Sequence, residues 1–169
     1  YTILGWSLGG QIALEIASLI EQRGIKNIKL VLLDTVLIDE QLRGLLYQSK
    51  NDRIMLYSSY LKHGYLQSYT DKLVNNFDCE EKLVYQKISN SLCNSRILLF
   101  KADKYANEYV KINKEINDHV SKLLFNNIDN YITDSKKIKV VKLENIEHNE
   151  VCEQVDFICD NLLTWESEL

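Results

Sequence analysis

The first ten residues of the chain, Tyr1 to Gly10 (YTILGWSLGG), decide the fold. Tyr1 to Leu4 is apolar and β-rich, which is typical of a strand, and the six residues after it include three glycines and a serine. Apolar residues then recur at the spacing of an α-helix; they are Ile12, Ala13, Ile16, Ala17, Leu19 and Ile20. Gly24 stands where this helix would end. The stretch predicts a strand, a sharp turn and a helix in succession.

Three further segments read as strands. Lys29 to Asp34 (KLVLLD) is a continuous apolar run closed by an acid, as expected for a strand buried on both faces of a parallel sheet. Arg96 to Ala102 (RILLFKA) has the same character, whereas Lys137 to Leu143 (KIKVVKL) alternates more and is predicted nearer a sheet edge. Together with the first strand they predict an α/β fold with a mostly parallel sheet and right-handed crossovers.

The segment between the second and third strands reads as helical and resembles a lid. Four amphipathic helices are predicted, at about 39–49, 52–62, 66–75 and 79–90, with Asp52 and Asp78 as caps. Later in the chain we expect a helical stretch ending near Asn130, a loop from Glu144 to Asn149 and a final helix at about 150–166. The apolar side of that final helix is predicted to hold Val151, Val155, Ile158, Leu162 and Trp165. We expect one domain over residues 1–169, with a lid insertion at about 39–92.

Composition excludes several classes of protein. The 169 residues are 46% hydrophobic and 26% charged, with a net charge of −4, which suits one globular domain and argues against nucleic acid as a partner. No segment reads as a signal peptide or a membrane span, so we expect a cytoplasmic protein without a membrane partner. The four cysteines lack metal-ligand spacing and are predicted to be reduced and mostly buried, with Cys152 and Cys159 facing the core. We expect no metal site.

Gly5-Trp6-Ser7-Leu8-Gly9 matches G-x-S-x-G, the nucleophile elbow, in which a strained turn between strand and helix exposes a serine hydroxyl. Glycines two residues from the serine are expected because the turn leaves no room for Cβ atoms. A phosphate-binding turn would need G-x-G-x-x-G or a following Lys-Ser/Thr, and this sequence has neither. Ser7 is therefore the predicted nucleophile.

A serine nucleophile needs a base and an acid that orients the base. Of the three histidines, His63 and His119 fall in polar helical segments and are expected on the surface. His148 follows the last strand, at the carboxyl end of the sheet where the elbow also opens, and is the predicted base. The acid is Asp34 or Asp103, since each closes a strand and either one gives the order Ser, Asp, His.

The sequence resembles the thioesterase domains of nonribosomal peptide synthetases and some polyketide synthases, which belong to the α/β-hydrolase superfamily. The shared features are the GWS-x-GG elbow, an A-x-E-(I/M)-A helix, and an apolar strand ending in Asp followed by Ser or Thr. Here these are Gly5-Trp6-Ser7-x-Gly9-Gly10, then Ala13, Glu15, Ile16 and Ala17, then Leu32-Leu33-Asp34-Thr35. The resemblance implies Asp34 as the acid and His148 as the base. The family commonly has glycine shortly before that histidine, whereas this chain has Asn145, Ile146 and Glu147.

The resemblance also implies a reaction. A peptidyl or acyl thioester would arrive on the phosphopantetheine arm of a partner carrier domain, and the domain itself would bind no cofactor. Ser7 would form an acyl-enzyme, the backbone N–H of Leu8 would supply one oxyanion donor, and hydrolysis or cyclisation would release the product. The second donor and the N-terminal strands of this fold would lie upstream of Tyr1. We therefore expect this chain to have little activity alone and to self-associate through its exposed first strand.

Two other functions fit the same residues. One is a different serine hydrolase, an esterase or lipase acting on free esters. The other is an inactive hydrolase-like domain that serves as a binding module. A comparison of thioester and ester turnover distinguishes an esterase or lipase from a thioesterase. Labelling of Ser7 by a fluorophosphonate distinguishes an active enzyme from an inactive binding module.

Overall fold

The computed structural model describes residues 1–48, 67–104 and 107–167. The chain divides into two compact units. One comprises Tyr1–Leu37, Ile88–Ala106 and Val120–Leu169, and the other comprises Ile38–Lys87 and Asn107–His119.

The first unit contains a four-stranded parallel sheet. Its strands are β1 (Thr2–Trp6), β2 (Lys29–Leu33), β3 (Arg96–Lys104) and β4 (Ile138–Glu147), and they lie side by side in chain order. All three pairings are parallel, so the four strands present their carboxyl ends at the same edge of the sheet. The predicted α/β fold with a mostly parallel sheet is confirmed, and so is the place of the last strand at a sheet edge.

The helices fit the connections that a parallel sheet requires. In chain order they are α1 (Leu8–Gln22), α2 (Glu40–Gln48), α3 (Gln67–Val84), α4 (Asn107–Lys122) and α5 (Val155–Ser167). No helix in the described ranges is long and apolar enough to cross a membrane.

Apolar clusters cover both faces of the sheet. Leu14 and Ala17 of α1 pack on one face with Leu30 and Leu32 of β2, while Val31 and Leu33 of the same strand contribute to a cluster on the other face. The second cluster also includes Phe100, Ile158 and Trp165. Burial on both faces explains why β2 reads as an uninterrupted apolar run rather than as an alternating one.

Several predicted helix boundaries are wrong. α3 is one continuous helix across the predicted 66–75 segment and the first half of the 79–90 segment, so Asp78 lies in its interior rather than at the start of a helix. Neither Gly nor Pro interrupts residues 67–84, so nothing there stops helix propagation. The predicted 52–62 helix and its cap Asp52 lie outside the described residues.

Two left-handed asparagines separate α4 from the segment that follows it. α4 ends at Lys122, and Asn126 and Asn127 have φ angles of 52° and 64° before a short 3₁₀ helix at Ile128–Tyr131. The Asn126 side-chain amide donates to the backbone oxygen of Thr35 at 3.0 Å. The prediction of a helical stretch to Asn130 is therefore wrong, because asparagine adopts this backbone conformation readily and a helix cannot continue through it.

The last predicted loop is mostly strand and 3₁₀ helix. β4 runs to Glu147, and a 3₁₀ helix at His148–Glu153 precedes α5. Val155 is 57% exposed, so its predicted place on the buried side of the last helix is wrong, whereas Val151, Ile158 and Trp165 are buried as predicted.

All four cysteines are free and exposed. The prediction that they are mostly buried, with Cys152 and Cys159 facing the core, is wrong. Val151 and Ile158 occupy the neighbouring core positions instead.

Candidate active site

Ser7 lies in a strained turn between β1 and α1. Its φ and ψ are 53° and −124°, and its backbone N–H donates to the carbonyl oxygen of Leu33 at 3.0 Å. This backbone conformation costs a residue other than glycine on the order of 1–3 kcal/mol, and it persists only where the surrounding structure imposes it. The predicted strand, sharp turn and helix are therefore present, with the serine at the turn.

Two glycines allow this turn to form. A Cβ on Gly5 would overlap the carbonyl group of Gly9, and a Cβ on Gly10 would overlap the side chain of Thr35. By contrast, a Cβ on Gly9 would meet nothing within 4 Å. The expectation that both glycines flanking the serine are required for lack of space holds for Gly5 and is wrong for Gly9. Gly10 is the second crowded position.

Asp34 directly follows β2 and is held by the neighbouring strand. Its backbone N–H donates to the carbonyl oxygen of Phe100 at 2.8 Å, and its Oδ1 accepts from the backbone N–H of Ala102 at 3.1 Å. Its φ of 43° is also in the left-handed region. These contacts turn the carboxylate away from the strand direction and leave Oδ2 available to another side chain.

The other side chain is that of His148. His148 Nδ1 lies 2.7 Å from Asp34 Oδ2, and the two side chains are 41% and 12% exposed, respectively. His148 is the first residue of the 3₁₀ helix that follows β4. The carboxylate therefore binds Nδ1 and leaves Nε2, the nitrogen that a general base would use, outside this contact.

Trp6 contacts the same histidine twice. The indole and imidazole rings stack with centroids 5.2 Å apart and an interplanar angle of 26°. The indole Nε1–H also donates to the backbone oxygen of His148 at 3.3 Å. The residue before Ser7 thus fixes both the ring and the backbone of His148 next to the elbow.

The Ser7 hydroxyl forms no hydrogen bond with His148 or with any other residue that the structure describes. Hydrogen bonds of catalytic groups are often long in the free enzyme and shorten only when substrate binds. The Ser7 backbone oxygen, in contrast, accepts from Thr35 Oγ1 at 3.1 Å. Leu8 begins α1, and an N–H in the first turn of a helix has no acceptor within that helix.

Asp103, the other candidate acid, contacts the backbone before His148 rather than the imidazole. Its Oδ1 accepts from the backbone N–H of Asn145 at 2.6 Å. Asn145 has a φ of 61°, so it adopts the backbone conformation that glycine supplies most easily. The register between β3 and β4 shifts at this point, and Lys104 and Glu147 then form an ion pair of 3.2 Å. The segment before His148 therefore has a left-handed residue that is asparagine and not glycine.

His119 is not a solvated surface residue as predicted. Its Nε2 lies 2.9 Å from Asp39 Oδ2, and its side chain is 16% exposed. Asp39 Oδ1 also accepts from the backbone N–H of Leu42 at the start of α2, which makes the pair part of a helix cap. His63 lies outside the described residues.

Lys101 has a role that sequence reasoning missed. It is 6% exposed, and its Nζ donates to the backbone oxygens of Val120, at 3.2 Å, and Leu123. Burial lowers the pKa of its ammonium group; the Asp34 carboxylate opposes this, and Lys142 adds to it. A lysine inside the apolar run RILLFKA is the signal that could have indicated an unusual buried charge.

Within the described ranges, no group of three or more His, Cys, Asp or Glu side chains is arranged to hold a metal ion.

Comparison with known proteins identifies a family for the part of the chain that contains the elbow and strands β1 to β3. The family model "Thioesterase domain" matches residues 1–106, so the chain belongs to the thioesterase domain family. No curated protein matches the chain significantly.

Two similar solved structures are both of the Vlm2 thioesterase domain with genetically encoded 2,3-diaminopropionic acid bound with a dodecadepsipeptide, in space groups H3 and P1. Their sequences are 18% and 17% identical to this chain, and both have a TM-score of 0.50. Each match covers 88% of this chain and 61% of the solved one, so the chain spans about three fifths of the domain it resembles. At this level of identity the likeness establishes the fold.

Proposed function

We propose that this chain is the catalytic part of a serine thioesterase that releases a peptidyl or acyl chain from the phosphopantetheine arm of a carrier domain. The observation that carries the proposal is the 2.7 Å contact between His148 Nδ1 and Asp34 Oδ2, beside a serine in a nucleophile elbow. Membership of the thioesterase domain family supports the thioester as substrate.

The proposed reaction begins with proton transfer from Ser7 Oγ to His148 Nε2 as Oγ bonds to the thioester carbonyl carbon. Asp34 remains ionised and stabilises the imidazolium that forms. The backbone N–H of Leu8 donates to the oxyanion. The C–S bond then breaks, the sulfur takes the proton from His148, and an acyl-serine remains.

Release of the acyl group reverses these roles. Water, or a nucleophile within the bound peptide, gives its proton to His148 and attacks the acyl carbon. The bond between the acyl carbon and Ser7 Oγ then breaks, and His148 returns the proton to Oγ. Water yields an acid, and an internal nucleophile yields a macrocycle. A dodecadepsipeptide is bound in the similar Vlm2 structures, which supports a peptidyl substrate for this chain. The proposed location is the cytoplasm, where the four free cysteines would remain reduced.

The test is covalent labelling of Ser7 by a fluorophosphonate, followed by turnover of a phosphopantetheinyl thioester and of the matching oxygen ester. Ser7→Ala is expected to abolish labelling. Asp34→Asn is expected to lower thioester turnover by about 10⁴-fold, because the histidine would then hold the wrong tautomer.

Asp103→Asn is the matched control, since it changes the other candidate acid in the same way. It is expected to lower turnover less than about tenfold, because among the described residues Asp103 accepts from a backbone N–H and does not contact the imidazole. A loss of 10⁴-fold in Asp103→Asn with little effect of Asp34→Asn would contradict the assignment of the acid. Faster turnover of the oxygen ester would indicate an esterase, and unlabelled Ser7 would favour an inactive binding module.

A further inference from the structure

The first unit contains a cavity of about 310 Å³ where the carboxyl half of β3 and the end of α4 meet β4. Lys101, Lys122, Lys142, Asp103, Leu123 and Leu124 contribute to its lining. The cavity includes none of Ser7, Asp34 and His148, although one of its lining residues, Ala102, donates its backbone N–H to Asp34. Its volume is at the lower end of the range found for small-molecule sites.

The charges around the cavity are unbalanced. Three lysines and a single carboxylate contribute to its wall, which gives a net charge of +2 in a chain whose net charge is −4. The carboxylate, Asp103, already accepts from the backbone of Asn145. Like charges that line a concave surface reinforce one another and attract an ion of opposite sign.

Among the described residues, no carboxylate forms an ion pair with any of the three ammonium groups. The side chains of Lys122 and Lys142 form no hydrogen bond or ion pair with another residue of the chain described by the structure. The buried Lys101 donates to two neutral carbonyl oxygens, which leaves one of its three N–H bonds without an acceptor. Asp34 offsets part of the cost of burying the Lys101 charge, and an anion in the cavity would offset more of it.

We propose that this cavity binds a phosphate group, with Lys122 and Lys142 as its main charged partners and Lys101 as a further donor. The net charge of the wall matches the two negative charges of a phosphate monoester. Three amine donors suit three terminal phosphate oxygens, and lysine binds phosphate as a point charge. Leu123 and the exposed Leu124 provide apolar surface for the organic part of a phosphate ester.

The test is isothermal titration calorimetry of the full chain with inorganic phosphate and, separately, with phenyl phosphate. Binding is expected at low salt, weakening as chloride is added. The double variant Lys122→Ala/Lys142→Ala is expected to weaken binding at least tenfold, since each lost contact is a charged hydrogen bond. Circular dichroism checks that both exposed substitutions leave the fold intact.

The matched control is Lys26→Ala/Lys136→Ala, which removes the same charge from exposed positions outside the cavity. This variant is expected to bind as the unchanged chain does. Tighter binding of phenyl phosphate than of inorganic phosphate would identify an organic phosphate as the ligand, and equal binding would identify the free anion. Absence of binding at millimolar phosphate, or equal weakening in both double variants, would overturn the proposal. These outcomes do not depend on whether Ser7 is a nucleophile.

Discussion

Ser7 and Asp34 both have positive φ angles, 53° and 43°, although neither is glycine. Each side chain directly follows a parallel strand, and the left-handed backbone turns it out of the strand direction. The cost is offset by hydrogen bonds to the next strand, from Ser7 N–H to Leu33 and from Asp34 N–H to Phe100. Strain at these two residues is what brings a hydroxyl and a carboxylate to the same edge of the sheet.

Trp6 is expected to set the orientation of His148. Trp6→Leu removes both the stacking and the indole hydrogen bond, whereas Trp6→Phe retains a ring that can stack. We expect the rate of fluorophosphonate labelling to fall by about tenfold or more in Trp6→Leu and by less in Trp6→Phe, because small displacements of a catalytic base are costly. Phe157→Leu, at an exposed position on α5, is the control. Equal rates in Trp6→Leu and the unchanged chain would show that the contacts have no role in catalysis.

Asn145 is expected to tolerate glycine and to reject a β-branched residue. Its φ of 61° suits glycine, while valine there would cost about 1–2 kcal/mol and would disturb the approach to His148. Urea denaturation should show Asn145→Gly close to the unchanged chain and Asn145→Val less stable, with slower labelling. Asn130→Val, in a 3₁₀ helix, is the control for the loss of an exposed asparagine. A stable and fully labelled Asn145→Val would contradict this account of the segment.

At the scale of elements, α1 carries two glutamates that bind the chain before β3. Glu15 accepts from the backbone N–H and the hydroxyl of Ser89. Glu21 accepts from the backbone N–H groups of Cys93, Asn94 and Ser95 and from the Ser95 hydroxyl. The glutamate of the A-x-E-I-A pattern therefore has a structural role, since it attaches the helix after the elbow to the segment that leads into the next strand.

Glu21→Gln is expected to destabilise the first unit in a pH-dependent way. Burial acts to raise the pKa of the Glu21 carboxyl, but the hydrogen bonds from Ser95 Oγ and three backbone N–H groups together lower it below its ordinary value of 4.5. A group whose pKa is lower in the folded state stabilises that state above its unfolded pKa, and this contribution disappears as the pH falls through the folded pKa. We therefore expect a loss of about 1–2 kcal/mol near pH 7 that shrinks below pH 4.5.

Urea denaturation of Glu21→Gln between pH 3 and pH 7 provides the measurement. Glu153→Gln, an exposed glutamate of the 3₁₀ helix before α5, removes the same charge and is expected to change stability little. A difference between the Glu21→Gln variant and the unchanged chain that stays constant across this pH range would show that the ionised carboxylate is not the stabilising form.

At the scale of the whole molecule, apolar residues remain exposed on β1 and α1. Leu4 is 56% exposed on a strand that pairs with β2 alone among the described strands. Ile12, Ile16 and Leu19 of α1 are also exposed, while Ala13, Leu14 and Ala17 of the same helix are buried. The helix is thus apolar on two faces, and the sheet covers one of them.

Self-association through β1 is expected from this exposure, because a strand with an unpaired edge can pair with another chain. Leu4→Lys should weaken concentration-dependent association at least tenfold in sedimentation velocity, since a charge at the edge disfavours pairing with another strand. Leu163→Lys, which places the same charge at an exposed leucine of α5, is expected to leave association unchanged. A chain that remains monomeric at all concentrations, or an equal effect of both substitutions, would contradict this prediction.

Much of the fold could be predicted because its signals are local. Each signal involves only residues that are close in sequence: the apolar run before Asp34, the glycines around Ser7 and the helical spacing after Gly10. The structure has the corresponding strands and helix. The residues at which strands and helices end are less predictable from the sequence. β4 continues past Leu143 because Asp103, on the adjacent strand, binds the backbone at Asn145, and no pattern near Asn145 indicates that contact.

The sequence by itself determined a parallel α/β fold, an elbow serine, and a histidine and two acids at the same edge of the sheet. The residue pattern left Asp34 and Asp103 open, and the resemblance implied Asp34. The tertiary structure decided that Asp34 meets the histidine, because the contact joins residues 114 positions apart and depends on the register of the strands. It also decided that Asn145 adopts a left-handed backbone, that Trp6 stacks on His148 and that Lys101 is buried beside a cavity. Local patterns indicate which side chains lie at the edge of a sheet, but only packing determines which of them come into contact.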